Sequence, residues 1–234
     1  MLSLLLTVLF VLAQLSVGWI FPFMHQTKMR KGLFVVEKPF DFSSVAGWDA
    51  FYQQTDEVVE WHSSVGLDEL ITYIPHGSNC LVLGCGNSKL PGLIYDTHHG
   101  ITSVTCVDSS QSCINDLRET YGRTNKNMAF VCGDATKLSQ CVKHNVTDVI
   151  VDKGLVDALM CGEGWDTTVG KVFEESSRIL SPNGIYLLVS YRLSSSTKEF
   201  LTECGQQVGL DWSFDLSQSN AGVSVSVARQ RSTA

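Results

Sequence analysis

Apolar residues along this chain come in short runs that stop at polar or glycine positions. Cys80-Leu81-Val82-Leu83 stops at Gly84-Cys85-Gly86, and Val104-Thr105-Cys106-Val107 stops at Asp108. Met128-Ala129-Phe130-Val131 stops before Cys132-Gly133-Asp134-Ala135, and Asp148-Val149-Ile150-Val151 stops at Asp152-Lys153-Gly154. Runs of this length, apolar on both alternating faces, predict parallel strands covered by helices on each side. Ile185 to Ser190 predicts a fifth strand. Leu210 to Leu216 and Val223 to Ala228 alternate instead, with Val223, Val225 and Val227 on one face, and predict a closing pair.

Helical patterns fill the gaps. Val65 to Ile74 has apolar positions at helical spacing and ends before Pro75. Ser109 or Ser110 caps a helix running to Tyr121, with Gly122 beyond its end. Asp166 to Leu180 predicts a helix stopped by Ser181-Pro182-Asn183-Gly184, and Ser196 to Val208 one stopped by Gly209. Alternating βα units that end in two adjacent strands indicate an α/β fold: a mostly parallel sheet with one antiparallel edge strand.

Composition narrows this further. A chain of 234 residues with 44% hydrophobic residues is long enough for one sizeable domain. The formal net charge of −7 and the lack of a Lys/Arg-rich run argue against nucleic acid as a partner. None of the 8 cysteines forms a C-x-x-C pair, so zinc has no support, and a large core favours reduced thiols.

Met1 to Phe23 has no charged side chain and is long enough to span a bilayer. Ser16-Val17-Gly18 offers a small-residue cleavage site, so both a signal-anchor and a signal peptide are open. The basic cluster His25, Lys28, Arg30, Lys31 follows the apolar run. That order places a downstream domain in the cytoplasm, with cytoplasmic, secretory or organelle-targeted alternatives. Asn145-Val146-Thr147 is a glycosylation sequon, which pulls the other way.

The candidate chemistry lies on the strand tips, which one sheet gathers on one rim. Gly84 and Gly86 allow positive φ and keep Cβ atoms away from a ligand. A dinucleotide fingerprint wants a third glycine where Lys89 stands, so a nicotinamide oxidoreductase is disfavoured. Asp108, at the tip of the second strand, is placed to accept from ribose hydroxyls. Asp134 can accept from an adenine amino group, with the next amide facing the ring. Trp48, Phe51, Tyr52 and Trp61 form an aromatic group ahead of the sheet, read from the residues alone as packing.

These tips resemble the class I S-adenosylmethionine-dependent methyltransferases and their Rossmann-like seven-stranded fold. Four segments are similar to the lysine methyltransferases of elongation factor 1-alpha: WDAFY (48–52), LVLGCGNSKL (81–90), VTCVDSS (104–110) and VDKGLVDAL (151–159). The resemblance divides the chain into a hydrophobic segment (1–23), a linker (24–45) and a methyltransferase domain (46–230). It implies S-adenosyl-L-methionine as cofactor, held by Trp48, Tyr52, Gly84, Gly86, Asp108, Ser109, Asp134, Ala135 and Lys153. Trp48 and Tyr52 then become a lid. It also implies a protein substrate, possibly a translation elongation factor. Asp152 and Asp157 are the candidate bases, each with helix capping or a structural ion pair as the alternative role.

Three positions depart from the family pattern. Ser109 follows the ribose acid where an aromatic is usual, Val59 stands for a Tyr, and Trp61-His62 replaces a Trp followed by an aromatic. A small-molecule methyltransferase and a non-catalytic cofactor-binding module therefore stay open beside the protein-lysine reading.

Overall fold

The computed structural model describes residues 29–30, 33–34, 40–42, 44–55, 57–96 and 100–232. The run Met1 to Phe23 and most of the linker lie outside the described residues. Among the described residues no helix is long and apolar enough to cross a membrane. The chain divides into two units, Met1–Asp41 and Phe42–Ala234. In the first, Met29–Arg30 pairs antiparallel with Leu33–Phe34.

The second unit is a seven-stranded sheet with helices on both faces. Its elements in chain order begin with α1 (Val45–Gln53), α2 (Leu67–Ile71), β1 (Asn79–Leu83), α3 (Leu90–Asp96) and β2 (Ser103–Asp108). Next come α4 (Gln111–Tyr121), β3 (Met128–Cys132), a 3-10 turn (Ala135–Gln140), β4 (Thr147–Lys153) and α5 (Leu155–Leu159). The last are α6 (Trp165–Ile179), β5 (Leu180–Tyr191), α7 (Ser195–Val208), β6 (Leu210–Gln218) and β7 (Val223–Gln230). The spatial order is β3-β2-β1-β4-β5-β7-β6. Strands β1 to β5 are parallel, while β7 runs antiparallel to both β5 and β6.

The apolar runs are continuous because the pleat feeds two cores. Cys80 and Val82 of β1 join Val104, Cys106, Val149 and Val151 on one face, under Leu70, Ile94, Ile114 and Leu117 of α2 to α4. Leu81 and Leu83 point the other way, with Val107, Ile150, Tyr186 and Leu188, under Val156, Val169, Phe173 and Leu201 of α5 to α7. Val223, Val225 and Val227 share the first face. The 8 cysteines are unpaired, and Cys80, Cys85, Cys106 and Cys113 are buried.

Local signals set most element ends. Ser110 caps α4, its hydroxyl accepting from the Cys113 amide at 3.3 Å. Ser194 caps α7 by accepting from the Thr197 amide at 3.1 Å, and Gly209 ends that helix in the left-handed region at φ 83°.

Two elements differ from the pattern reading. The Val65 to Ile74 helix contracts to Leu67–Ile71. Its remainder is a tighter turn in which the amides of Thr72, Tyr73 and Ile74 reach three residues back, because Pro75 disfavours α conformation at the residue before it. Strand β5 starts at Leu180, and Ser181 to Gly184 form a bulge in it, with the register jumping between Thr147 and Val149 of β4. Asn183 accommodates the bend at φ 65°.

Candidate functional site

The carboxyl ends of β1, β2 and β4 converge on the glycine turn. Gly84 and Gly86 sit at φ 62° and 51°. A Cβ on Gly84 would lie 2.8 Å from Leu155 Cβ, and one on Gly86 would lie 2.5 Å from the Tyr52 hydroxyl. The turn folds back on β2, with the amides of Gly84 and Cys85 donating to the Val107 carbonyl at 2.8 and 3.3 Å. The Gly86 amide donates to Asp108 Oδ2 at 2.8 Å, and the Ser110 amide to Asp108 Oδ1 at 2.8 Å.

Asp108 is thus held by the amides of Gly86 and Ser110, with the Ser109 amide also lowering its pKa, and the carboxylate's four lone pairs leave acceptor capacity over. Burial pushes its pKa up, the amides of Ser110 and Gly86 oppose this, and Asp49 adds to the rise. A carboxylate short of donors, beside a turn where no Cβ fits, suits a ligand that brings hydroxyls.

Helix α1 closes over this turn. Asp49 Oδ1 accepts from the Ser110 hydroxyl at 2.5 Å and the Ser112 amide at 3.4 Å, which pins α1 to the first turn of α4. That places Tyr52 on Gly86. Its ring stacks on Trp48 at 5.8 Å and 24°, and Trp48 meets Trp61 edge-on at 6.1 Å. Burial and the nearby Asp108 charge hold the Tyr52 phenol well above its ordinary pKa, with a hydrogen bond to Trp61 opposing. Trp48 spends its indole N–H on the Phe42 carbonyl at 3.0 Å and packs on Phe42 and Phe51. The aromatic group therefore packs together and also sits over the turn.

Residues 57–62 form a second wall. Asn87 Oδ1 accepts from the Val59 amide and Asn87 Nδ2 donates to the Glu57 carbonyl, both at 2.9 Å. Glu60 accepts from the Ser88 hydroxyl at 2.8 Å, from the Lys89 amide at 2.6 Å and from Lys153 Nζ at 3.1 Å. Lys153, with a side chain 9% exposed, has an acidic neighbour as its partner. His62 Nε2 meets Asp157 Oδ2 at 2.8 Å, with both side chains buried.

The other candidates separate by place. Asp134, beyond β3, is exposed; it accepts from the Thr136 amide at 2.9 Å and the Thr136 hydroxyl at 2.7 Å, and Lys137 lies 3.2 Å away. Burial alone would raise its pKa, but Thr136 and Lys137 hold it below the ordinary value. Ala135 opens the 3-10 turn against the inner core. Ser109 is half-buried between β2 and α4, and its carbonyl accepts from the Cys132 thiol.

Asp152 is fully buried, accepting from the Tyr186 hydroxyl at 2.6 Å and the Leu155 amide at 2.8 Å. Its carboxyl accepts from the first amides of α5, one of the two alternative roles read from the sequence. Asp157 carries the other alternative role, an ion pair, through His62.

Pattern reading missed Glu60, Asn87 and the pairing of His62. Glu60 stands 29 residues before Lys89 and 93 before Lys153, and periodicity reports burial, not partners at that separation. The one local hint was Asn87-Ser88, polar residues inside the turn that need partners.

A cavity of about 650 Å³ opens among Ile74, His76, Asp148, Asn183 and Arg229. These flank the amino ends of β1, β4 and β5, opposite the glycine turn, so it is not where the strand tips converge.

Comparison with known proteins shows what the chain is similar to. A methyltransferase-domain family profile matches residues 81–188. The eEF1A lysine and N-terminal methyltransferase of Mus musculus is 32% identical over 155 residues, covering 64% of this chain and 22% of that protein. The chain spans about a fifth of the length of such relatives. The mitochondrial citrate synthase-lysine N-methyltransferase of Danio rerio is 26% identical over 187 residues, covering 71% of this chain and 72% of that protein. Among solved structures, an S-adenosylmethionine-dependent methyltransferase from Aquifex aeolicus superposes with a TM-score of 0.57 at 14% identity, covering 77% of this chain and 97% of that one.

Proposed function

We propose that the chain is a class I S-adenosylmethionine-dependent methyltransferase and that it moves the cofactor's methyl group to a lysine amine on a protein. The observation that carries the cofactor half is Asp108, held by the amides of Gly86 and Ser110 with acceptor capacity left over. The relatives' lysine-methyltransferase names support the acceptor half.

In this reading Asp108 takes the two ribose hydroxyls, and the Gly84 to Gly86 backbone lies against the nucleoside's amino-acid side. Asp134 and the Ala135 amide, next along the rim, meet the adenine, with Ser109 beside the ribose. Trp48 and Tyr52 cover the bound cofactor. Lys153, tied to Glu60, holds the 57–62 wall against the turn; a cofactor carboxylate would compete with Glu60 for it.

A sulfonium methyl group arrives already activated. The chain's task is to align the acceptor and to strip its proton. A lysine with a free pKa of about 10.4 needs roughly 4–5 kcal/mol to be neutral at pH 7. A site that desolvates the ammonium, or a base that takes its proton, lowers that cost.

The test is transfer of radiolabel from S-adenosylmethionine by the full-length chain to purified elongation factor 1A, with citrate synthase as second acceptor. Label on a lysine of either protein supports the reading. Cofactor binding with label on neither protein, but on small molecules of a cell extract, would move the function to the small-molecule alternative.

A further inference from the structure

The 57–62 wall holds one group with an unspent valence. His62 has a left-handed backbone at φ 52°, a side chain 3% exposed, and Nε2 on Asp157. Its Nδ1 is buried with no hydrogen-bond partner among the described residues. With Asp157 as carboxylate, Nε2 carries the hydrogen and Nδ1 the lone pair. An acceptor buried in this way is unfavourable until a donor arrives.

The surroundings say what that donor is. The ring lies on Gly154, where a Cβ would come within 3.3 Å of Nε2, and edge-on to Tyr191 at 4.7 Å. In the cofactor reading above, Asp108 on β2 takes the ribose and Asp134 after β3 the adenine, which puts the sulfur end on the other side of β1, toward β4. Gly154 directly follows β4, and its amide donates to Val189 of β5 at 3.1 Å. His62 therefore stands at the sulfur end of the site. The ionisable groups around it are Asp157 and Cys161 from α5 and its exit, Tyr191 from β5, and the neighbouring Glu60–Lys153 pair. Two carboxylates against one lysine, beside the Tyr191 ring, suit an ammonium.

We propose that His62, oriented by Asp157, is the proton acceptor for the methyl acceptor's amine. The proposal rests on the amine-methylation reading above. Nδ1 takes one proton from the acceptor ammonium, giving a neutral amine and an imidazolium paired with the Asp157 carboxylate. The amine nitrogen forms its bond to the methyl carbon while the carbon–sulfur bond breaks and its electron pair stays with sulfur. The methylated amine carries the positive charge, and the imidazolium returns its proton to water after product release.

Two measurements on the full-length chain test this. Label transfer to elongation factor 1A is followed from pH 6 to 9.5 for the parent, His62→Gln and His62→Phe. The parent rate rises to a plateau. Both variants fall about 100-fold at pH 7, lack the plateau and climb steadily toward pH 9.5 as free amine forms, with S-adenosylmethionine affinity within twofold of the parent. Separately, the parent labelled with ¹⁵N-histidine and saturated with S-adenosylhomocysteine is titrated with butylammonium. The His62 Nδ1 resonance shifts saturably, and tetramethylammonium, which has no N–H, leaves it in place. A variant keeping the parent's rate and pH profile, a parallel loss of cofactor affinity, or an Nδ1 resonance indifferent to butylammonium overturns the proposal. No transfer by the parent at any pH fails the lysine reading instead, and the butylammonium titration then decides the dyad alone.

Discussion

Replacing Asp152 with Asn should flatten the pH dependence of stability by roughly 4 kcal/mol between pH 4 and pH 8. Burial drives the Asp152 pKa up to about 7, the Tyr186 hydroxyl and Leu155 amide hold it back, and Asp157 raises it further. An unfolded aspartate titrates near 3.9. Between those values the folded chain retains a proton that the unfolded chain has released. Its stabilising effect is complete below about pH 4 and is lost as pH rises to about 7, beyond which the slope ends. The amide keeps the size of the carboxyl group and does not titrate, so the comparison is direct: urea unfolding of the parent and of Asp152→Asn at pH 5 and pH 8. The parent should lose more stability than the variant between the two. Equal losses would mean that the carboxylate is not held in the interior as described.

Gly86→Val should cost about 2–5 kcal/mol of stability, from two sources that act together. The left-handed backbone at φ 51° disfavours any side chain by about 1–2 kcal/mol, and a branched one more. The new Cβ also meets the Tyr52 hydroxyl at 2.5 Å. Tyr52 has little room to yield, because it is buried and stacked on Trp48; forcing such a ring aside costs about 1–3 kcal/mol. Gly66→Ala is the control, since a Cβ there meets nothing within 4 Å. As the N-cap of α2 it should cost no more than about 1 kcal/mol in the same urea titration. A Gly86→Val chain as stable as Gly66→Ala would show that Tyr52 does not sit on the turn.

The strands were legible because burial on both faces makes each one a continuous apolar run, as in Cys80 to Leu83 and Val149 to Val151. Chemistry local to the chain was legible for the same reason: Ser110 and Gly209 mark helix ends by their own hydrogen bonding and φ. The glycine turn and Asp108 followed from where those strands stop. What could not be read is pairing at long separation. His62 and Asp157 are 95 residues apart, and nothing in either neighbourhood announces the other until β4 and the 57–62 wall are brought together. Trp48 and Tyr52 show a different limit. Aromatic spacing cannot separate packing from a lid, and the structure has these rings packed on one another while Tyr52 lies against Gly86. Asp152 shows a third: its position on a strand tip is legible, while its burial and its bond from the Tyr186 hydroxyl, 34 residues away, are not.

The central claim is that the β1 turn and Asp108 together hold S-adenosylmethionine. Calorimetric titration of the full-length chain with S-adenosylmethionine, parent beside Asp108→Ala, tests it most directly. The account predicts saturable binding at one site in the parent and an affinity about 10- to 150-fold weaker in Asp108→Ala, the range of about 1.5–3 kcal/mol for hydrogen bonds to a charged group. No binding by the parent, or the same dissociation constant in both chains, would contradict it.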